Sequence, residues 1–280
     1  MWIYLNNRFV LQEKAFVSVF DHGFLYGDGL FETFRAYNGK IFLLSEHLYR
    51  LQKSAKRLGI LMPTLERVEV LLYETLRKNG LQNAIIRLTL TRGVHEWGKF
   101  NKDAPPTVVI FARPFAGFPE KIYKKGISAC IATIRRNAKT AQDPAIKAIG
   151  FLNNVLAMRE ATALSVQEAI LLNPDGFIAE GSVSNIFWVR AGRLYTPAKS
   201  VGILAGVTRA IVLKCAKKEK LCVTEGFYRK TALYKSDEAF LTNTGFEVMP
   251  LTLVNQKKIG LGRPGPITTR MRQLLKNLCF

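Results

Sequence analysis

The chain has 280 residues, 48% hydrophobic and 22% charged, a composition that builds a sizeable core and excludes a disordered or fibrous protein. At about 100–200 residues per domain, the length suits two domains. The 41 Lys and Arg against 21 Asp and Glu leave a formal charge of +20, beyond the magnitude of about 2–8 usual for a small soluble domain, so a nucleic-acid or membrane-surface protein is the first class to weigh.

Residues 2–10 read as two short strands around Asn6 and Asn7, a hairpin signal. Residues 31–37 alternate apolar and mixed positions up to a turn at Asn38 and Gly39, and 41–44 can return as the paired strand. Ser45 offers an N-cap for a helix with Leu48, Leu51, Ala55 and Leu58 on one face, ended by Gly59. Thr64 caps a second helix through Val68, Leu71, Leu72, Thr75 and Leu76, stopped at Asn79 and Gly80. Strands follow at 84–91 and 107–113.

PFAGFP at 114–119 is the best linker in the chain, with two prolines and a glycine in six residues. The pattern then restarts with a strand at 127–134, a helix at 154–164 and strands at 168–172 and 184–190. A helix at 207–218 and strands near 239–241 and 248–254 complete it. The expected organisation is two α+β domains, 1–113 and 120–280, joined by 114–119, with a ligand at the domain interface.

No stretch reaches the roughly 18 apolar residues of a membrane span, and the N-terminus lacks a signal-peptide pattern, so a cytoplasmic protein is expected. Cys130, Cys215, Cys222 and Cys279 have no CxxC spacing and read as reduced, buried small hydrophobes. His22, His47 and His95 are too scattered for a zinc motif, so no metal is expected, and neither standard phosphate loop is present. The Lys and Arg residues occur singly or in pairs, such as Arg135 with Arg136, among interspersed acids. That pattern reads as a solvated basic surface rather than a specific nucleic-acid or membrane site.

Four features carry possible chemistry. Lys147 in PAIKAIG at 144–150 has apolar neighbours; burial there would favour the neutral amine, a nucleophile able to form a Schiff base, although a loop lysine can equally reach solvent. Glu180 opens EGSVSNIF at 180–187, either as a turn acid or as a buried carboxylate held ionised by a cation. GILAGVTR at 202–209 is a glycine-punctuated entry into a helix, either an ordinary loop or a phosphate site made of free N–H groups. TNTG at 242–245 offers hydroxyls that bind an anion or close a turn. Together an amine, a carboxylate and two anion cradles are what pyridoxal 5'-phosphate requires.

At this point the chain resembles the class IV, or fold type IV, pyridoxal-phosphate enzymes: the branched-chain and D-amino-acid aminotransferases and the aminodeoxychorismate lyases. The likeness runs through FDHGFLYGDGLFET at 20–33, EHLYRL at 46–51, Lys147 with LNNVLA at 152–157, EGSVSN at 180–185, GILAGVTR at 202–209 and TNTGFEVMP at 242–250. The resemblance implies a two-domain fold and a homodimer whose partner closes the pocket. It implies Lys147 as Schiff-base lysine and proton shuttle, Glu180 facing the pyridine nitrogen, and Arg50, Val207, Thr208 and Thr244 on the phosphate. His47 is expected to be structural. Tyr26 and Phe31 match substrate-lining positions. Arg87 matches a substrate-binding position, where it would pair with a carboxylate, although a salt-bridged structural arginine is the competing reading.

Departures blur the subfamily. Gly150 and Phe151 stand where relatives have Asn and Tyr, and EGSVSN differs from the branched-chain pattern. Trp97 stands near the lyase arginine and is a candidate substrate residue. The expected reaction is a ping-pong transamination between amino acids and 2-oxo acids; the alternative on the same scaffold is aminodeoxychorismate lyase, which eliminates pyruvate.

Overall fold

The computed structural model describes residues 1–96, 98–100 and 104–279. They divide into two compact units, residues 1–116 with 146–151, and residues 117–145 with 152–280. The first break falls inside the expected linker. The segment 146–151, expected to belong with the C-terminal half, instead clusters with the N-terminal unit.

In the first unit, β1 (Trp2–Leu5) and β2 (Arg8–Leu11) form the expected hairpin. Asn6 and Asn7 supply the two positive φ values of its turn. A short helix, α1 (His22–Tyr26), is capped by the Asp21 carboxylate, which accepts from Gly23 N. It leads into β3 (Gly29–Tyr37), which turns at Asn38 and Gly39 into β4 (Lys40–Ile41). The return strand is shorter than expected, because α2 (Leu44–Leu58) starts at once. Its N-cap is Leu43 in the left-handed region, not Ser45, and no side chain caps it. In α3 (Leu65–Lys78) Thr64 caps as expected, accepting from Arg67 N. With β5 (Ala84–Thr91) and β6 (Thr107–Pro114) these strands form a six-stranded sheet ordered β2-β1-β6-β5-β3-β4.

The core of this unit joins Leu48, Leu51, Val68 and Leu71 of the helices to Phe34, Ile86 and Ile110 of the sheet. Alternation along β3 puts Leu30, Glu32, Phe34 and Ala36 on one face and Phe31 on the other. The strap 146–151 lies along β3: Phe31 N donates to Lys147 O, Ile149 N donates to Gly29 O, and Leu30 bridges Ala148. Only a glycine fits at position 29, where a Cβ would press on Leu90 O and the Ile149 side chain.

The second unit opens with α4 (Glu120–Lys125), β7 (Ile127–Arg135), α5 (Leu152–Ala163) and β8 (Glu168–Leu172). Next come β9 (Ile178–Gly181), β10 (Asn185–Arg190), β11 (Arg193–Pro197), α6 (Val207–Lys218) and β12 (Val223–Gly226). The chain ends with α7 (Lys230–Tyr234), β13 (Glu238–Asn243), β14 (Glu247–Val254), β15 (Lys257–Lys258) and α8 (Pro266–Cys279). The nine-stranded sheet runs β12-β11-β10-β13-β14-β7-β8-β9, with β15 beside β14. The β14–β7–β8 stretch is parallel, as is β11 with β12.

The sequence reading omitted α1, α4, β9, β11, β12, α7, β15 and α8. Most are too short for periodicity to declare. Cys130 and Cys215 are buried as expected, but Cys222 is exposed and Cys279 half-buried, and all four are free thiols. Among the described residues no helix is long and apolar enough to cross a membrane.

The N-terminus of α8 is held by a side chain from another element. Glu238 accepts from Ile267 N at 3.1 Å and Thr268 N at 2.7 Å. These are N–H groups that the helix itself cannot satisfy. Replacing Glu238 with Ala is expected to lower stability by about 1–2 kcal/mol, read as a lower urea midpoint with an unchanged slope; an unaltered midpoint would contradict this capping role.

Candidate active site

The first unit gathers Lys147, Phe31, Phe151 and Arg87 around one aromatic ring. The strap's backbone bonds to β3 set the Lys147 Cα, and its Nζ lies 4.2 Å from the centre of the Phe31 ring. The Arg87 guanidinium lies 3.9 Å from the same centre, and Phe151 meets the ring edge-on at 5.6 Å. Arg87 Nε donates to Thr89 Oγ1 at 3.3 Å. Among the described residues no carboxylate forms a salt bridge with Arg87, so the competing reading as a salt-bridged structural arginine finds no acid there. Tyr26 sits apart on α1, its ring against His22 and Phe100. Trp97 lies outside the described residues.

Behind β3, on its helix-facing side, is a buried ion-pair cluster. Arg50 grips Glu32 with two nitrogens: Nε to Oε1 at 2.7 Å and Nη2 to Oε2 at 2.7 Å. His47, one turn earlier on α2, holds Oε2 through Nδ1 at 2.8 Å. Burial pushes the Glu32 carboxyl up, but the Arg50 charge and the hydrogen bonds from His47 and Arg50 outweigh it and bring it to about 2. Burial pulls the His47 imidazole below its usual value despite the Glu32 carboxylate, so the ring is neutral at pH 7 and donates from Nδ1. His47 therefore has the structural position expected of it.

The second unit carries Glu180, buried on β9 at 4% exposure. Arg136, just past β7, donates from Nε to Glu180 Oε1 at 2.8 Å. Oε2 accepts from Asn185 Nδ2 at 3.2 Å and Leu204 N at 2.9 Å. The guanidinium is held in turn by Asn153 and Asn154 at the start of α5. Asn153 also reaches Arg135 O, and the Glu160 carboxylate accepts from Thr133 N and Ile134 N where β7 bulges. The bulge and its two anchors aim Arg136 at Glu180.

Beneath this loop Glu168 accepts from the hydroxyls of Ser182 and Ser184 and from Ala169 N and Ser182 N. Burial pushes its carboxyl up against those four hydrogen bonds. The segment from Glu180 to Asn185 is thus pinned at both ends.

Val207 and Thr208 are the first two residues of α6, and both are buried. Gly206 is the N-cap and offers no side chain, so no side chain caps the leading N–H groups. A Cβ at Gly206 would overlap Asn185 Oδ1. Asn185 also donates to Leu204 O, so the loop before α6 is tied to the Glu180 carboxylate. Thr244 sits half-buried in the turn between β13 and β14, where Asn243 Oδ1 accepts from Gly245 N and Phe246 N. The nearby Thr242 hydroxyl is buried and has no partner.

A buried carboxylate paired with a cation, a helix N-terminus with no side-chain cap joined to it, and a buried hydroxyl without a hydrogen-bond partner among the described residues fit a phosphorylated pyridine ring. Within the first unit, the Lys147 amine stands on a strap tied to β3 by backbone hydrogen bonds. Sequence reasoning missed Arg136, Asn185 and Glu32 as members of these clusters. A signal existed for Arg136, since a buried Glu180 demands a cation. No metal-binding cluster occurs among the described residues.

Two outcomes follow from the buried pairs. Replacing Arg136 with Met leaves a buried carboxylate without its cation and is expected to cost about 3–5 kcal/mol of stability in denaturant titrations; a loss below about 1 kcal/mol would show that Glu180 does not need it. The Glu32 carboxyl is lowered from 4.5 to about 2 on folding, so its stabilisation is complete above pH 4.5 and is lost as pH falls toward 2. The lowered His47 adds a loss in the same direction as pH falls below 6.5, because only the unfolded chain takes up that proton readily. Stability should therefore decline with acidification from pH 6.5, and a flat profile down to pH 3 would refute both assignments.

The model of the class IV amino-transferase family matches residues 29–254. A putative branched-chain-amino-acid aminotransferase of Methanocaldococcus jannaschii is 42% identical over 280 residues, covering 99% of this chain and 96% of its own. An aminodeoxychorismate lyase of Bacillus subtilis is 36% identical, covering 98% and 93%. The structure of a T.th. branched-chain amino acid aminotransferase with pyridoxamine 5'-phosphate superimposes with a TM-score of 0.94 at 33% identity, covering 99% and 94%. The α+β fold expected from the residues is the fold of these relatives. The chain belongs to the class IV aminotransferases, enzymes that work with pyridoxal 5'-phosphate.

Proposed function

We propose that this aminotransferase moves an amino group between an amino acid and a 2-oxo acid in a ping-pong cycle, the donor leaving as its oxo acid before the acceptor enters. The observation that carries the reading is Glu180, a buried carboxylate paired with Arg136 and bonded to the loop that opens α6. The cofactor supplies an electron sink that lets an amino acid's α-carbon give up its proton.

Each residue has a role in this reading. Glu180 would face the cofactor's ring nitrogen and favour its protonated form. The N–H groups of Val207 and Thr208, the Thr244 hydroxyl and Arg50 hold the phosphate. Lys147 would hold the cofactor through its amine and, once freed from it, would serve as the acid–base group that moves the substrate's α-proton. Phe31 and Tyr26 line the substrate space, and Arg87 takes a substrate carboxylate. The cation over an aromatic face, with no salt-bridged acid among the described residues, supports that last role.

The reading includes a homodimer. Phe16, Val19, Phe20, Phe24 and Tyr26 form an exposed apolar run around α1, of the kind that a second copy covers. It also includes a cytoplasmic setting, which the exposed free thiol of Cys222 supports.

Borohydride reduction of the protein with bound pyridoxal phosphate, followed by peptide mapping, is expected to label Lys147. Replacing Lys147 with Ala should cut turnover by about 10³ or more. Label on another lysine would overturn the assignment. Amine transfer from L-leucine, D-alanine or L-glutamate to a 2-oxo acid is the expected activity. If none transfers, and aminodeoxychorismate instead yields pyruvate and p-aminobenzoate, the transaminase reading falls.

A further inference from the structure

We propose that Glu32 is a positioning residue for cofactor binding: its carboxylate aims the Arg50 guanidinium at the phosphate. The inference rests on the reading above that Arg50 takes that phosphate.

Glu32 occupies a site that packing alone would give to an apolar side chain. It stands on β3 between Leu30 and Phe34, on the face that α2 covers, and is fully buried. Burying an ion pair there gains little over a hydrophobic residue of similar size. What the carboxylate adds is geometry. Its two oxygens take the Nε and Nη2 edge of Arg50, both at 2.7 Å. That fork fixes the guanidinium plane and so fixes the direction of the third nitrogen, Nη1. An arginine without such a fork samples many rotamers and pays for that freedom on binding.

His47 completes the hold. It takes Oε2 from one helical turn away, at 2.8 Å, so the carboxylate itself cannot rotate. Strand β3 thus sets the aim of a side chain that belongs to α2. The same strand carries the Lys147 strap on the backbone of Gly29 and Phe31. Within the first unit, one strand therefore orients both the amine and the guanidinium. The charges of Glu32 and Arg50 cancel, so Arg50 acts on the phosphate by directed hydrogen bonds more than by net charge.

The test is a comparison of two ligands on the full-length protein, pyridoxal 5'-phosphate and pyridoxal, titrated by absorbance into the wild type, E32Q, R50A and the double variant. E32Q is expected to weaken pyridoxal phosphate about tenfold or more, the scale of losing charge-assisted hydrogen bonds. Pyridoxal, which has no phosphate, should change by less than about twofold, within the scatter of independent sites. In the R50A background the Glu32 substitution should add nothing, because it acts through Arg50. Equal weakening of both ligands by E32Q would reveal a merely structural residue and overturn the proposal. So would an unchanged affinity for pyridoxal phosphate in E32Q when R50A loses it. If R50A keeps the full preference for pyridoxal phosphate over pyridoxal, the assignment of Arg50 itself falls, and the role of Glu32 with it. Should E32Q fail to fold, E32D keeps the charge but is one methylene too short for the fork, and it should show the same selective loss.

Discussion

A carboxylate taken out of water must find a cation or a full set of donors, and this constraint organises both units. Three glutamates meet it in different ways. Glu180 uses a cation and two further donors. Glu32 uses a bidentate arginine and a histidine. Glu168 has no cation and takes four hydrogen bonds from hydroxyls and backbone. The chemistry sorts accordingly. The two cation-paired acids are Glu180 and Glu32, and the arginine and histidine beside Glu32 hold its carboxyl down at about 2. The third, with its carboxyl pushed up by burial, serves only to clamp the loop that carries Glu180.

These demands propagate into backbone geometry. Arg136 can reach Glu180 only because β7 bulges at its end, with Glu160 accepting the N–H groups that the bulge exposes. The Glu180 carboxylate in turn accepts from Leu204 N, and Asn185 returns a hydrogen bond to Leu204 O. The Glu180 carboxylate and the entry into α6 are therefore tied into one piece. Asn185 leaves no room for a Cβ at Gly206, so the entry into α6 is fixed by the same residue that holds the carboxylate. An error in one contact would displace both the carboxylate and the helix entry, so the segment is preorganised as a unit.

Much of this was legible in the sequence, for physical reasons. The hairpin at Asn6 and Asn7, the stop at Gly59 and the cap at Thr64 are local devices, and the structure uses all three. The α6 boundaries, 207–218, were readable because a glycine-rich entry precedes a long helix. Other features depend on distant residues and leave no local trace. The N-cap of α2 at Leu43 rather than Ser45 is one, and the return of 146–151 to the first unit is another. The membership of Arg136 was hidden because a cation beside a strand looks like any surface arginine until its acid is known. Glu32 was hidden for the opposite reason: an alternating strand predicts an apolar residue at its position, and the exception marks a function.

The +20 charge divides along the same line. A few cations are buried and committed to named partners: Arg136 to Glu180, Arg50 to Glu32, and Arg209 to Glu225 and Pro197 O. Arg35 lies between the rings of Tyr37 and Phe115, at 4.5 and 4.7 Å. These cations shape the interior but add little to the outer field, because most are neutralised by a carboxylate in direct contact. The excess is carried instead by exposed lysines and arginines scattered over many elements. A scattered field of that sign cannot read a nucleic-acid sequence, which needs side chains directed at base edges. It does raise the local concentration of small anions, and it weakens with salt over a Debye length of about 8–10 Å. The 2-oxo acids and the phosphorylated cofactor of an aminotransferase are such anions. The scattered surface charge therefore acts as a field that attracts small anions, while the paired arginines are engaged by buried partners of their own chain.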